Sequence, residues 1–532
     1  MRSMKYYLLG AMAGVVALSM TPALAETPSN MLVIANRIDD ITTLDPAESF
    51  EFAGSDLSRN VYGKLVNFDP KDLAAGYQPD LAESWTVSAD GKTITFKMRS
   101  GVKFHSGNPV TAADAVFSLR RAVKLNKTPS FILTQFGFTA DNADKTIQQI
   151  DDMSFSITTD KKYATSFILN CLTSTIGGIV DMKTVMANEA NGDMGNAWLK
   201  THTAGSGAYS LVNWKPNESY MLKANNDFYK GKPKMARVIV RHIAESSTQR
   251  LLLEKGDIDI ARNLNPQDVS GAKAAGDISI DNDLRGRLMY ISMNQKDPVL
   301  SNPKVVEAVK YLVNYKGMQD SFLKGQYTVH QAFLPKTYLG SIDDQPYSYN
   351  IAKAKALLAE AGYANGFDVK LIVREAQERI EIAQSLQNSF AKAGIKASIT
   401  VGTGKQTLSK YRAREFQIYV GAWGPDYPDP NTNAGTFAYN PDNSDEAKAT
   451  GLLAWRNAWS IPEMSKETQA AVQEGDRVKR AAMYEAIQRE HQKTSPFAVM
   501  FQKIEQTGRR TNVKNFNVGA AITAASYWPV TK

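Results

Sequence analysis

Residues 415–433 read EFQIYVGAWGPDYPDPNTN. The run Phe416-Gln417-Ile418-Tyr419-Val420 has the aromatic and β-branched content of a strand, passes two small residues to Trp423, and breaks at Gly424. Pro425, Pro428 and Pro430 forbid both a continuing ladder and a helix interior, so the spacing predicts a pre-shaped loop at a strand end. Two uses fit such a loop. It can hold Trp423, Asp426 and Tyr427 as the wall of an aromatic pocket with one anionic contact, or it can be a surface turn whose carboxylates face water.

Outward from this stretch, helices and strands alternate. Residues 369–373 and 395–401 read as strands around an amphipathic helix at 378–393 that Gly394 stops. Further upstream come a strand at 288–294, a helix at 302–313 opened by Asn302-Pro303, and a helix at 351–361 stopped by Gly362. Residues 496–502 form a last apolar strand. The order predicts an α/β fold with mixed sheets covered by helices.

The amino-terminal half carries a second pattern. Residues 31–35 are a strand, and Gly205 and Gly207 just before Tyr209 suggest a tight crossing or hinge. Between them, Thr93 to Met98 alternate as a half-buried hairpin strand, and Thr111 with Asp114 is placed to open a helix at 112–124. That block reads as a compact α+β unit inserted into something larger.

Composition narrows the function. Arg2 and Lys5 precede an apolar stretch that ends in Ala23-Leu24-Ala25, the form of a cleaved secretory signal over residues 1–25. No cysteine follows the cleavage site to carry a lipid, so a periplasmic protein released without an anchor is expected. The net charge is +8, with basic and acidic residues interspersed, which argues against nucleic-acid binding. Cys171 is the one cysteine; an internal disulfide is therefore impossible and burial is expected.

The five histidines are scattered, with no metal spacing among them. Gly402-Thr403-Gly404-Lys405 lacks the upstream glycine and the Ser/Thr of a phosphate loop, and no cofactor or metalloenzyme signature is present. Asp426 and Asp429 fit either an acid–base pair or turn-makers. A carboxylate beside aromatic rings also suits an ammonium ligand, through a charged hydrogen bond and cation–π attraction.

Several stretches together resemble the bacterial extracellular solute-binding proteins that serve dipeptide, oligopeptide and nickel ABC importers. They are LDP at 44–46, PDLAESWTVSADGKTITFKMRSGVKFHSG at 79–107, PVTAADAVFS at 109–118, GSGAYSL at 205–211, YNIAKAKALLAEAGY from Tyr349, and WGPDYPDP. The resemblance spans essentially the whole mature chain. It implies a bilobal periplasmic binding protein with an extra α+β domain: a first domain from 26–69, 196–287 and 497–532, an inserted second domain at 70–195, and a third at 288–496. A ligand would lie between the first and third domains, which would close over it and dock on an inner-membrane permease with its ATPases. The protein would act as a monomer and not as an enzyme.

By the same resemblance Asp426 corresponds to the aspartate that holds a peptide's amino terminus, and Trp423 to a pocket aromatic. Phe50 and Phe52 lie where an early loop meets the ligand. Gly404 and Val420 stand where oligopeptide binders have a tryptophan and an arginine, and Arg374 and Arg379 both lie near the arginine that dipeptide binders use for the ligand carboxylate. A short peptide leads as ligand; an opine or other amine-bearing solute, a sugar-like conjugate and a metal chelate follow. A hydrolase and a periplasmic chaperone are the competing classes.

Overall fold

Two long antiparallel strands, Ile278–Met293 and Phe497–Arg510, form the spine of the computed structural model, which describes residues 27–69, 72–519, 521 and 525–532. The expected leader, 1–25, lies outside the described residues. Both strands outrun the apolar segments that mark them in the sequence. Their extra halves are charged, and the charges pair across the ladder: Arg509 donates to both oxygens of Asp281 at 2.8 and 3.0 Å, and Arg285 meets Glu505 at 3.3 Å. Opposite charges facing one another there take the place of apolar alternation.

The ladder is interrupted between Leu284 and Leu288, which leaves Arg285, Gly286 and Arg287 out of register. On one side of this break the sheet runs from Phe497–Arg510 through Ile260–Ala261 to Met31–Asn36, Arg237–His242, Ser219–Ala224 and Tyr209–Lys215. On the other it runs from Ile278–Met293 through Ile418–Trp423 to Asp368–Arg374 and Lys396–Gly402. One sheet therefore serves two lobes, joined through the two long strands.

In the second lobe the parallel pair Asp368–Arg374 and Lys396–Gly402 is bridged by the helix Gln377–Lys392. That helix buries Ile382, Leu386 and Phe390, one side chain per turn, and Gly394 (φ +86°) ends it in the left-handed conformation. In the first lobe Gly205 and Gly207 make the predicted crossing. A Cβ on Gly205 would sit 2.1 Å from the Val61 carbonyl oxygen, and one on Gly207 2.6 Å from that of Asn60.

The inserted unit is a four-stranded antiparallel sheet, in the order Ala82–Val87, Thr93–Met98, Ser154–Thr158, Ile147–Gln149. The helix Ala112–Leu125 covers it, and Thr111 with Asp114 closes a capping box at its start. Phe96 stacks on Phe155 with centroids 5.1 Å apart. Cys171 is fully buried in the same core. So is Tyr427, which enters this core from the proline-rich loop of the second lobe.

Candidate functional site

The strand Ile418–Trp423 delivers the proline-rich loop, which ends where the helix Asn431–Phe437 begins. The strand starts two residues later than its apolar run and carries Trp423 as its last residue. Along its length the two faces separate. Val420 points into the core of the second lobe beside Ile291 and Val373, fully buried. Tyr419 and Trp423 lie on the opposite face, among the aromatic residues Tyr411, Phe437 and Phe497.

Beyond Trp423 the two aspartates part company. Asp429 is fully buried and its oxygens accept from Arg480 Nη2 and Nη1 at 2.7 and 2.8 Å; Asn170 Nδ2 of the inserted unit adds a bond at 3.2 Å. Asp426 has its backbone N–H bonded to Thr432 Oγ1 at 2.8 Å, while no partner for its carboxylate is found among the described residues. Burial alone pushes that carboxyl up to about 7. The acid–base pairing of Asp426 with Asp429 is thereby corrected: Asp429 is consumed by an internal ion pair.

Asp426 opens on a cavity of about 640 Å³, within the range of small-molecule sites. Its wall is aromatic. Phe50 stands edge-on to Phe131 with centroids 5.9 Å apart, and Tyr427 lies 5.8 Å from Phe167. The Trp423 indole Nε1 is buried with no hydrogen-bond partner among the described residues. The surrounding fold sets these positions: Tyr427 is clamped in the inserted unit's core, and Asp429 with Arg480 fixes the loop two residues further on.

The resemblance places the ligand between first and third domains; here the wall facing the loop belongs mainly to the inserted unit, with Phe50 from the first segment. Phe52 is elsewhere. It opens the helix Phe52–Val61, is 49% exposed, and lines a second cavity of about 640 Å³ at the break in the long strands. That cavity is floored by a charge network. Arg262 bonds Asp56 and, at 2.8 Å, Glu505. Although burial works against it, Arg262 and Arg285 hold Glu505 below its ordinary carboxyl value.

Four candidate positions do not line the Asp426 cavity. Val420 is core, so its identity cannot be read by a ligand. Gly404 begins the helix Gly404–Arg412, capped by Thr403 and Gln406, and a Cβ there would meet Arg374 Nε at 2.9 Å. Arg374 is exposed at the end of its strand. Arg379 is 6% exposed, its Nε lacks a partner, and burial, then the charge of Arg287, lowers its pKa.

Sequence reasoning missed Phe131, Phe167, Arg412 and Arg456, which line the cavity. For Arg456 a signal existed: it stands inside the apolar run LLAWRNAW at 452–459, where an arginine needs a reason. For the phenylalanines there was none, because the loop meets them only across the lobe boundary. Among the described residues no group of three or more His, Cys, Asp or Glu side chains is placed to hold a metal ion, and no helix is long and apolar enough to cross a membrane.

Two lobes on a shared sheet, an inserted unit and a cavity at their junction define a bilobal periplasmic binding protein. Residues 76–445 match the family described as "Bacterial extracellular solute-binding proteins, family 5 Middle", and the chain belongs to that family. The probable D,D-dipeptide-binding periplasmic protein DdpA of Escherichia coli is 26% identical over 95% of both chains. The glutathione-binding protein GsiB of Shigella boydii is 28% identical over 76% of both. The structure of HbpA2 from Haemophilus parasuis, 25% identical, superposes with a TM-score of 0.81 over 94% of this chain and 99% of that one.

Proposed function

We propose that this protein is the solute-binding component of an ABC importer, capturing a short peptide or other amine-bearing solute and delivering it to an inner-membrane permease. The observation that carries the reading is the Asp426 carboxylate: half-buried in the cavity wall, without a partner among the described residues, and beside aromatic rings. An ammonium group there gains a charged hydrogen bond and the attraction of the rings, and restores a partner to a desolvated acid. Relatives named for dipeptide and glutathione binding support a peptide-like ligand. With Asp429 committed to Arg480, no second carboxylate lines this cavity among the described residues, and capture and release without bond cleavage is the chemistry we infer.

We assign one lobe to 26–69, 196–287 and 503–532, enclosing 70–195, opposite 288–502. The pairing of residues 497–502 with 288–292 is the reason for moving the last crossing from the expected 497 to near Lys503. The break beside Arg285–Arg287 is the natural hinge, where closure needs the fewest ladder bonds to change. The leader at 1–25 is cleaved and leaves an unlipidated periplasmic monomer.

The test is calorimetry of Asp426→Asn. Loss of a buried charged hydrogen bond weakens an amine-bearing ligand by at least about 1.5 kcal/mol. A folded variant that binds such ligands as tightly as wild type removes the anchor role. Mass spectrometry of the protein incubated with peptides is expected to return them intact; cleaved products would instead point to a hydrolase.

A further inference from the structure

The cavity beside Asp426 holds more positive than negative charge. Lys161, Arg412 and Arg456 line it, and Asp426 is the single acidic residue in its wall. Lys161 and Arg412 are exposed, but Arg456, the last residue of the helix Leu453–Arg456, is only 5% exposed.

Buried arginines elsewhere in the molecule have carboxylate partners. Arg121 pairs with Asp45, Arg262 with Asp56 and Glu505, Arg285 with Glu505, Arg414 with Asp445 and Arg480 with Asp429. Arg456 and Arg379 are the exceptions among the described residues, and of the two only Arg456 opens on the Asp426 cavity. The Arg456 Nε donates to the Thr450 carbonyl at 2.7 Å and its guanidinium carbon lies 5.1 Å from the centre of the Tyr411 ring. Its terminal amino groups have no acceptor among the described residues. A guanidinium in the cavity wall without a counter-charge gains a charged hydrogen bond from an anion that enters.

Arg412 strengthens the site. It lines the same cavity, and burial first, then the charge of Arg456, lower its pKa. The site is also set apart from Asp426. Tyr411 stacks on Tyr419 at 4.1 Å, and Tyr419 precedes Trp423 by four strand residues, roughly 13 Å along the strand at ~3.3 Å per residue. Asp426 lies past the strand's end. An anion at Arg456 and an ammonium at Asp426 therefore belong to different groups of one solute.

We propose that Arg456, with Arg412 beside it, binds an anionic group of the solute, so that this protein selects acidic amine-bearing compounds over neutral ones. The arginines of the 374–379 segment do not line this cavity. The inference rests on the solute-binding reading of the cavity and adds the charge class of its ligand.

Calorimetry with the C-terminally amidated tripeptides Ala-Ala-Glu and Ala-Ala-Gln, whose one difference in charge is at a side chain, reads the site. Wild type is expected to bind Ala-Ala-Glu at least tenfold more tightly. In Arg456→Gln the two affinities come within twofold, with that for Ala-Ala-Gln kept. Equal binding by wild type, or a preference that survives Arg456→Gln, overturns the proposal. Should neither tripeptide bind, thermal stabilisation by succinate at constant ionic strength decides: a shift in wild type that Arg456→Gln loses supports the site, and identical behaviour of the two proteins refutes it. Should Arg456→Gln fail to fold, Arg412→Gln at its exposed position decides, with at least a threefold fall in preference or in the succinate shift for support and no change against. Asp426→Asn keeps the two readings apart. If it leaves both tripeptide affinities intact, the ammonium anchor falls while the charge preference and its dependence on Arg456 stand.

Discussion

Asp426 and Asp429 are the same residue type in the same loop, three positions apart, and the fold treats them oppositely. Asp429 is locked: Arg480 takes both its oxygens, and Asn170 reaches it from the inserted unit. Asp426 is half-buried in the cavity wall with no partner for its carboxylate among the described residues, and its carboxyl rises to about 7. An acid that the fold neutralises holds structure together; one that it leaves open in a cavity wall is a demand for something from outside. The same contrast separates Arg480 from Arg456, and the cavity at the strand break, whose Arg262, Asp56 and Glu505 compensate one another, from the cavity beside Trp423.

The largest expected effect breaks the locked member. Asp429→Ala leaves Arg480, 1% exposed, as an uncompensated buried cation, and the predicted loss of stability is about 3–5 kcal/mol by denaturant titration. Adding Arg480→Met recovers a large part of that loss, because the stranded charge goes with it. If the single variant is as stable as wild type, Asp429 is not the structural partner described. The open member behaves differently. Asp426→Asn is expected to forfeit at least about 1.5 kcal/mol of affinity for an amine-bearing ligand while the folded protein loses no stability.

The pH dependence of stability sharpens this further. The folded Asp426 carboxyl sits at about 7 against an ordinary 3.8, so between those values the native state holds a proton that the unfolded chain has released. Stability from this group is therefore fully present below about pH 4, falls as pH rises toward 7, and levels off above it. Asp283, raised by burial to about 6, contributes in part of the same window, so the informative quantity is the difference between wild type and Asp426→Asn. That difference is predicted to grow in favour of the variant from pH 4 to pH 7; a difference constant with pH contradicts the half-buried, unpaired state. In the liganded protein the carboxylate must ionise to meet an ammonium, so affinity for such a ligand weakens as pH falls below about 7.

Much of this architecture was legible in sequence where apolar period, cap and stop coincide. The capped helix after Thr111, the helix that Gly394 ends and the Gly205–Gly207 crossing all carry local signals. The long strands were half legible, since the charged stretches 278–287 and 503–510 have no apolar period and become strand only when Asp281 meets Arg509 and Glu505 meets Arg262 and Arg285. The site divides in the same way. Asp426, Trp423 and Phe50 came from the loop and the resemblance, and they line one cavity. Counting along the chain from Asp426 also pointed to Val420, but alternation along a strand turns it away from Trp423 into the core. Which aspartate is free depends on Arg480, more than fifty residues on in sequence, and no local pattern encodes that pairing.

The smallest expected effect concerns the remaining open group of the pair's surroundings, the Trp423 indole. Its Nε1 is buried and without an acceptor, whereas the Trp455 indole donates to the Ser444 carbonyl at 2.8 Å. A buried donor left unpaired costs the empty protein its desolvation, so Trp423→Phe, which removes that donor and keeps ring contact with Phe437, is expected to hold stability within about 1 kcal/mol of wild type. If a ligand acceptor normally meets that donor, affinity falls by about 0.5–1.5 kcal/mol. Calorimetry and thermal melting on the same preparation separate the two quantities. A variant that loses stability but not affinity would move Trp423 to the structural side of the comparison, beside Asp429.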